Sequence, residues 1–239
     1  MKNQYVGDLN DYRKYGLVRL LAAGGQLRTG VCWMLTPNDG RSDGQFITYL
    51  DGPDRWRHYD PDLFDHLSCC IREGERSIAR VEREGLLAGA SFYAEALSDN
   101  RQQRSAYFAT ALDRLANCDL VFFDPDNGLE IPSRPYGAKG SNKFLFWPEV
   151  EAFYRRGQSL LIYQHFCREE REWFIARRSA DFERRVGAAE VWAFRTPRVV
   201  FFLLPQAHHR ELLWAQAEQV KSHWAPQIWL DRCPISEGV

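Results

Sequence analysis

Apolar positions along the chain follow two rhythms. Mostly apolar runs at 31–35, 119–123 and 159–163, and the pair 189–194 and 198–204, predict short strands, with 120–123 wholly apolar as in a strand buried on both faces. Between them, apolar residues recur at spacings of three and four. Residues 8–23 predict an amphipathic helix through Leu9, Tyr12, Leu17, Leu20 and Leu21, with Asp8 as N-cap and Gly24-Gly25 as a stop. Residues 61–84 predict one or two helices interrupted near Gly74, and 101–117 a helix with Tyr107, Phe108, Ala111, Leu112 and Leu115 inward. Pro148 suits the first turn of a helix to about residue 156. Further helices are expected at 168–184 and 206–224. Residues 46–50 read as a short second strand, and 91–97 as a strand or sheet edge.

Strands alternating with helices, then closing strand–turn–strand–helix, predict an α/β chain. The expected architecture is a doubly wound, mostly parallel sheet with helices on both faces and an antiparallel C-terminal strand, a Rossmann-like arrangement. No linker is visible, so residues 1–239 read as one domain. A helical segment at 52–88 and a long insertion loop at 125–147 interrupt the alternation.

Composition narrows the partners. Among 239 residues, 31 basic and 32 acidic side chains give a formal charge of −1, so any nucleic-acid contact rests on a local basic loop. No apolar run reaches membrane-spanning length, and the N-terminus lacks the apolar core of a signal peptide, so a cytoplasmic location is expected. Cysteines at 32, 69, 70, 118, 167 and 233 include no CxxC pair, which disfavours a structural zinc site. Cys32 and Cys118 fall in or beside strands and read as core.

The candidate chemistry concentrates at 119–131. The apolar strand there stops at Asp124-Pro125-Asp126-Asn127-Gly128. Pro125 cannot extend a central ladder, and Gly128 permits a turn of positive φ. Polar groups therefore crowd the carboxyl end of a core strand, where open α/β sheets bind ligands. Segments 36–44 and 164–168 follow strands at the same edge. They add Asn38, Asp39, Gly40 and Asp43 on one side and Gln164, His165 and Arg168 on the other, with Glu130 beyond Gly128. Neither a dinucleotide fingerprint nor a Walker A lysine is present. On the first helix, Asp11 and Lys14 are spaced to pair on the surface; alternatively, Lys14 reaches over the sheet edge toward a ligand. His208 and His209 are adjacent and point apart, which disfavours a shared metal.

The order of elements resembles class I S-adenosylmethionine-dependent methyltransferases, and in detail the rRNA adenine-N6 methyltransferase J family. Residues 5–15, Tyr-Val-Gly-Asp-Leu-Asn-Asp-Tyr-Arg-Lys-Tyr, look like that family's opening motif, with Lys14 on its lysine and Tyr15 in place of its histidine. Loop 36–44 takes the place of the glycine-rich cofactor loop, without the acid–Gly–x–Gly order. Asp124-Pro125-Asp126-Asn127 lies where the family has Asp-Pro-Pro-Tyr. The resemblance implies that S-adenosylmethionine is held by Lys14, Asn38, Asp39, Gly40 and Asp43. It also implies that Asp124 and the Pro125 carbonyl grip an exocyclic amine. Asp126 and Asn127 replace the second proline and the stacking aromatic.

Three functional expectations follow. The first is a methyltransferase on a nucleic acid or nucleotide-like acceptor. Its catalytic candidates are Asp124, Asp126, Asn127 and His165, with Pro125, Arg134, Lys139 and Lys143 on the substrate. The last three lie in an insertion that reads as a substrate lid suited to phosphate contacts. The second is a nuclease or phosphohydrolase holding Mg²⁺ through Asp124 and Asp126, with Glu130 and loop acids contributing and His165 as base. The third is a non-catalytic binder on the same fold.

Overall fold

The computed structural model describes residues 1–38, 40 and 44–233. The loop candidates Asp39 and Asp43 lie outside the described residues. In chain order the strands are β1 (Thr29–Cys32), β2 (Ser91–Tyr93), β3 (Leu120–Phe123), β4 (Gly128–Leu129), β5 (Phe144–Leu145), β6 (Ser159–His165), β7 (Val191–Arg195), β8 (Val199–Leu204) and β9 (Trp229–Cys233). The helices are α1 (Leu9–Leu21), α2 (Pro53–Trp56), α3 (Pro61–Arg72), α4 (Ile78–Arg83), α5 (Arg101–Arg114), α6 (Trp147–Tyr154), α7 (Arg171–Val186) and α8 (Arg210–His223).

Period-two alternation along the strands builds two cores. On β3, Leu120 and Phe122 face one side, with Leu161 and Tyr163 of β6 and with side chains from α1, α3, α4 and α8. Val121 and Phe123 face the other, with Leu160, Ile162 and side chains from α5, α6 and α7. The main sheet has the order β2-β1-β3-β6-β8-β7-β9. β2, β1, β3 and β6 pair in parallel, whereas β8 runs antiparallel to both β6 and β7, and β9 antiparallel to β7. The expected α/β sheet with helices on both faces and reversed C-terminal strands is therefore present.

Chain order makes β1 and β3 the topological switch point, because β2 continues to one side of β1 and β3 starts the other half. α1 begins where expected, with the Asp8 side chain accepting from the Asn10 N–H at 2.8 Å. It packs closely against the end of α8: a Cβ on Gly16 would come within 2.0 Å of the Trp224 ring. Glycine is required there by the close approach, since any side chain would overpack the site.

Several elements differ from expectation. Residues 46–50 form no strand; Thr48–Asp51 is a 3₁₀ turn leading into α2. A short apolar run fits either geometry, and here Tyr49 is buried against Tyr12 and Phe64. The 125–147 segment is not an open loop. β4 and β5 pair in parallel within it. Buried Arg104 of α5 holds Glu149 at 2.6 and 2.8 Å and the carbonyls of Ser141 and Phe144 at 3.1 and 2.7 Å. β6 runs on to His165, so Gln164 and His165 are strand residues.

Candidate functional site

At the carboxyl end of β3, a cleft of about 430 Å³ opens between the start of α1, segment 124–127 and the end of β6. Lys14 projects from α1 into its floor and is 2% exposed. Its Nζ lies 2.7 Å from Asp11 Oδ1 and 2.7 Å from Asp124 Oδ2. Asp11 is itself buried, and its Oδ2 accepts the Tyr15 hydroxyl at 3.2 Å. The expected surface pair between Asp11 and Lys14 is thus a buried triad with Asp124. The pair is buried because α1 is covered by α3 and α8, so its polar face turns inward over the sheet edge.

Two carboxylates sharing one ammonium out of water leave excess negative charge. Burial pushes the Asp11 carboxyl up to about 7, against the pull of Lys14 and with a further push from Asp124. Burial alone would lower the Lys14 pKa, but the two carboxylates outweigh it and hold the ammonium charged. Asp11 is therefore a proton acceptor poised near neutrality, in the range suited to acid–base work.

A second cluster gathers at the switch point. The Met1 amine bonds the carbonyls of Met34 at 3.2 Å and Asp124 at 2.9 Å, and lies 2.8 Å from Asp126 Oδ1. Lys14 Nζ stands 3.5 Å from the Met1 sulfur. The Thr36 hydroxyl donates to Asp126 Oδ2 at 2.7 Å, and Lys2 Nζ lies 3.6 Å from the same oxygen. Burial would raise the Asp126 pKa, but the amine, Thr36 and Lys2 together depress it, keeping the carboxylate ionised. Met1 thus fills the crevice between the ends of β1 and β3.

The far wall is anchored through Gln164. Its Oε1 accepts the Leu129 N–H at 2.7 Å, and its Nε2 donates to the Asn127 carbonyl at 3.2 Å. Gly128, at φ 112°, passes so close that a Cβ would lie 2.4 Å from the Gln164 amide. His165 Nε2 is 3.1 Å from the Tyr163 hydroxyl. The ring keeps an exposed edge, but the walls around it disfavour its charged form and lower its pKa against the attraction of Asp126 and Asp124. At the mouth, the Arg198 guanidinium stacks 3.9 Å over the half-exposed Phe46 ring.

Of the residues singled out from sequence, Lys14, Asp124, Pro125, Asp126, Asn127 and His165 line this cleft together. Asn38 and Gly40 do not; Asn38 Oδ1 accepts the Gln4 N–H at 3.4 Å. Arg134, Lys139 and Lys143 also lie off the cleft, because the insertion folds back onto α5 and α6 rather than over the mouth. Glu130 borders a different cavity. Sequence reasoning missed Asp8, Tyr163 and Arg198, and read Asp11 as a surface residue, although all four line the cleft. The spacing Asp8-x-x-Asp11-x-x-Lys14 was a usable signal, since residues three apart share a helix face.

Asp124 and Asp126 are each engaged by a cation of the chain itself. Among the described residues, no group of three or more His, Cys, Asp or Glu side chains is placed to hold a metal ion. Among the described residues, too, no helix is long and apolar enough to cross a membrane.

No protein-family model matches the chain, and no curated protein does. One solved structure similar to it is protein LPL1258 from Legionella pneumophila str. Philadelphia 1, family-model DUF519. It is 11% identical, with a TM-score of 0.45, over 97% of this chain and 98% of that one.

Proposed function

We propose that this chain is an S-adenosylmethionine-dependent methyltransferase acting on a nitrogen of a nucleic-acid or nucleotide-like acceptor. The observation that carries the reading is the acceptor set at the switch point. Two carbonyl oxygens, of Met34 and Asp124, and the Asp126 carboxylate surround an ammonium, beside a thioether near Lys14. That set fits the methionyl end of the cofactor, whose amino group would take the place the Met1 amine now occupies. When bound there, S-adenosylmethionine supplies an electrophilic methyl group.

The chain's own residues would do the rest by positioning. Lys14 fixes the Asp124 carboxylate through Oδ2, so that Asp124 orients a substrate N–H at the end of β3. Asp11, with its carboxyl raised to about 7, takes up the proton released as the nitrogen is alkylated. Asn127 and His165 offer polar contacts on the opposite wall, and Arg198 with Phe46 offers a cationic and aromatic rim to an acceptor carrying a base and phosphate. The Mg²⁺ reading is weaker, because both of its proposed ligands already hold a cation.

Calorimetric titration with S-adenosylmethionine tests the reading. Saturable binding is expected, weakened at least about tenfold in Asp126→Asn by loss of a charge-assisted contact to the amino group. No saturable binding to the folded wild-type chain, or equal affinity in both proteins, would overturn it.

A further inference from the structure

Helix α7 borders a second cavity, separate from the Lys14–Asp124 cleft. Arg177, Arg178 and Arg185 border a cavity of about 450 Å³, walled opposite by Tyr136 of the insertion, Trp147 at the start of α6 and Glu130. The volume is in the range that holds a small molecule. Arg178 is 9% exposed, and its buried Nε has no hydrogen-bond partner. Arg185 lies 5.4 Å over the Trp147 ring.

The charges facing the cavity favour an anion. Asp181 meets Arg178 at 3.3 Å but is shared with Arg184. Arg177 is paired with Glu169 at 2.6 Å on the exposed side of the helix. Burial holds the Glu130 carboxyl above the usual range, which weakens it as a counter-charge. Burial and the neighbouring Arg177 disfavour the Arg178 charge, a cost that an anion between the two guanidinium groups would offset.

Trp173 is 75% exposed, among the large apolar side chains of the described residues that remain open to water. It stands four residues before Arg177, hence on the same helix face one turn away. An exposed indole beside arginines is a stacking platform of the kind that single-stranded nucleic acids use.

The geometry points to a second binding site on α7 for a nucleoside phosphate within single-stranded nucleic acid. The cavity takes one base against Tyr136 and Trp147, and the arginines hold its phosphate. Trp173 stacks on the neighbouring base. The insertion expected to contact phosphate over the main cleft instead supplies, through Tyr136, a wall for that base. This site is separate from the Lys14–Asp124 cleft and stands whether or not methyl transfer occurs.

The test is fluorescence anisotropy with an end-labelled single-stranded RNA of about ten nucleotides, enough to span cavity and platform. It is run without S-adenosylmethionine, with adenosine 5′-monophosphate as competitor. Wild-type protein binds, and Arg177→Ala/Arg185→Ala weakens binding at least about tenfold because two phosphate contacts are lost. Both arginines are exposed, so the fold survives, as circular dichroism would verify. Trp173→Ala weakens the RNA about fivefold or more through lost stacking but leaves monophosphate competition unchanged. If Trp173→Ala affects neither ligand while the arginine pair matters for both, the cavity takes a free nucleotide and the nucleic-acid proposal fails. Absence of RNA binding in the wild type, or equal binding by wild type and the double-arginine variant, overturns the site altogether.

Discussion

Replacing Lys14 by methionine removes one ammonium and keeps most of the side-chain volume. In the folded chain that ammonium makes two contacts of 2.7 Å, to Asp11 and Asp124, in a setting where all three side chains are at most 4% exposed. Hydrogen bonds to charged groups contribute about 1.5–3 kcal/mol each, so losing two predicts about 3–6 kcal/mol. An independent route gives about 3–5 kcal/mol for breaking a buried ion pair by removing one partner. A solvent-exposed pair at the same positions would be worth about 0–1 kcal/mol. The loss also has a pH signature. Asp11 already titrates near 7 with Lys14 present, and Lys14 lowers that value, so its removal raises the carboxyl further. A carboxyl whose folded pKa lies above its unfolded value binds the proton more tightly when folded. Its contribution is complete below the unfolded value near 4 and is lost as pH rises through the folded value. Lys14→Met is therefore destabilised more at pH 8 than at pH 5, by up to about 1.4 kcal/mol, the one pK unit that separates the wild-type Asp11 value near 7 from pH 8. Urea unfolding followed by circular dichroism at both pH values measures this. A loss under about 1 kcal/mol at pH 8, or the same loss at both pH values, would refute a buried Asp11–Lys14–Asp124 triad.

Two further substitutions probe the frame around the cleft. Arg104→Ala leaves the buried Glu149 carboxylate without its counter-ion and the Phe144 carbonyl without its guanidinium donor; a loss of about 3–5 kcal/mol in urea unfolding is expected, with faster proteolytic cleavage within 131–143. Gly128→Ala places a side chain at φ 112° against the Gln164 amide; destabilisation of about 1–3 kcal/mol is expected in thermal melts, together with weaker S-adenosylmethionine binding.

Much of the frame was legible because local chemistry and the tertiary fold agree. The run 120–123 has no polar position and is buried on both faces, and Asp8, Pro61 and Pro148 sit at helix starts whose needs they meet. What escaped had weak or ambiguous local signals. β9, which ends the strand order beside β7, contains Asp231 and Arg232 and so lacks the apolar run that marked β1, β3, β6, β7 and β8. β4 and β5 are two residues each, too short for a period. In the site, Asp124, Asp126 and Asn127 were found because Pro125 and Gly128 mark the end of a core strand. The burial of Asp11 was not visible, since an Asp–Lys pair three residues apart looks the same on a solvated face. Asn38 and Gly40 were assigned by their place after β1, but Met1, coming from the start of the chain, fills the crevice they were expected to border.

The most direct test of the central claim is transfer of labelled methyl from S-adenosylmethionine to total nucleic acid from cells lacking this protein, comparing wild type with Asp124→Asn. The account predicts label in nucleic acid with the wild type and a loss of at least about a hundredfold in the variant, as expected when a substrate-orienting charge is removed from a site that works by positioning. Equal transfer by both proteins, or none by a folded wild type, would contradict it.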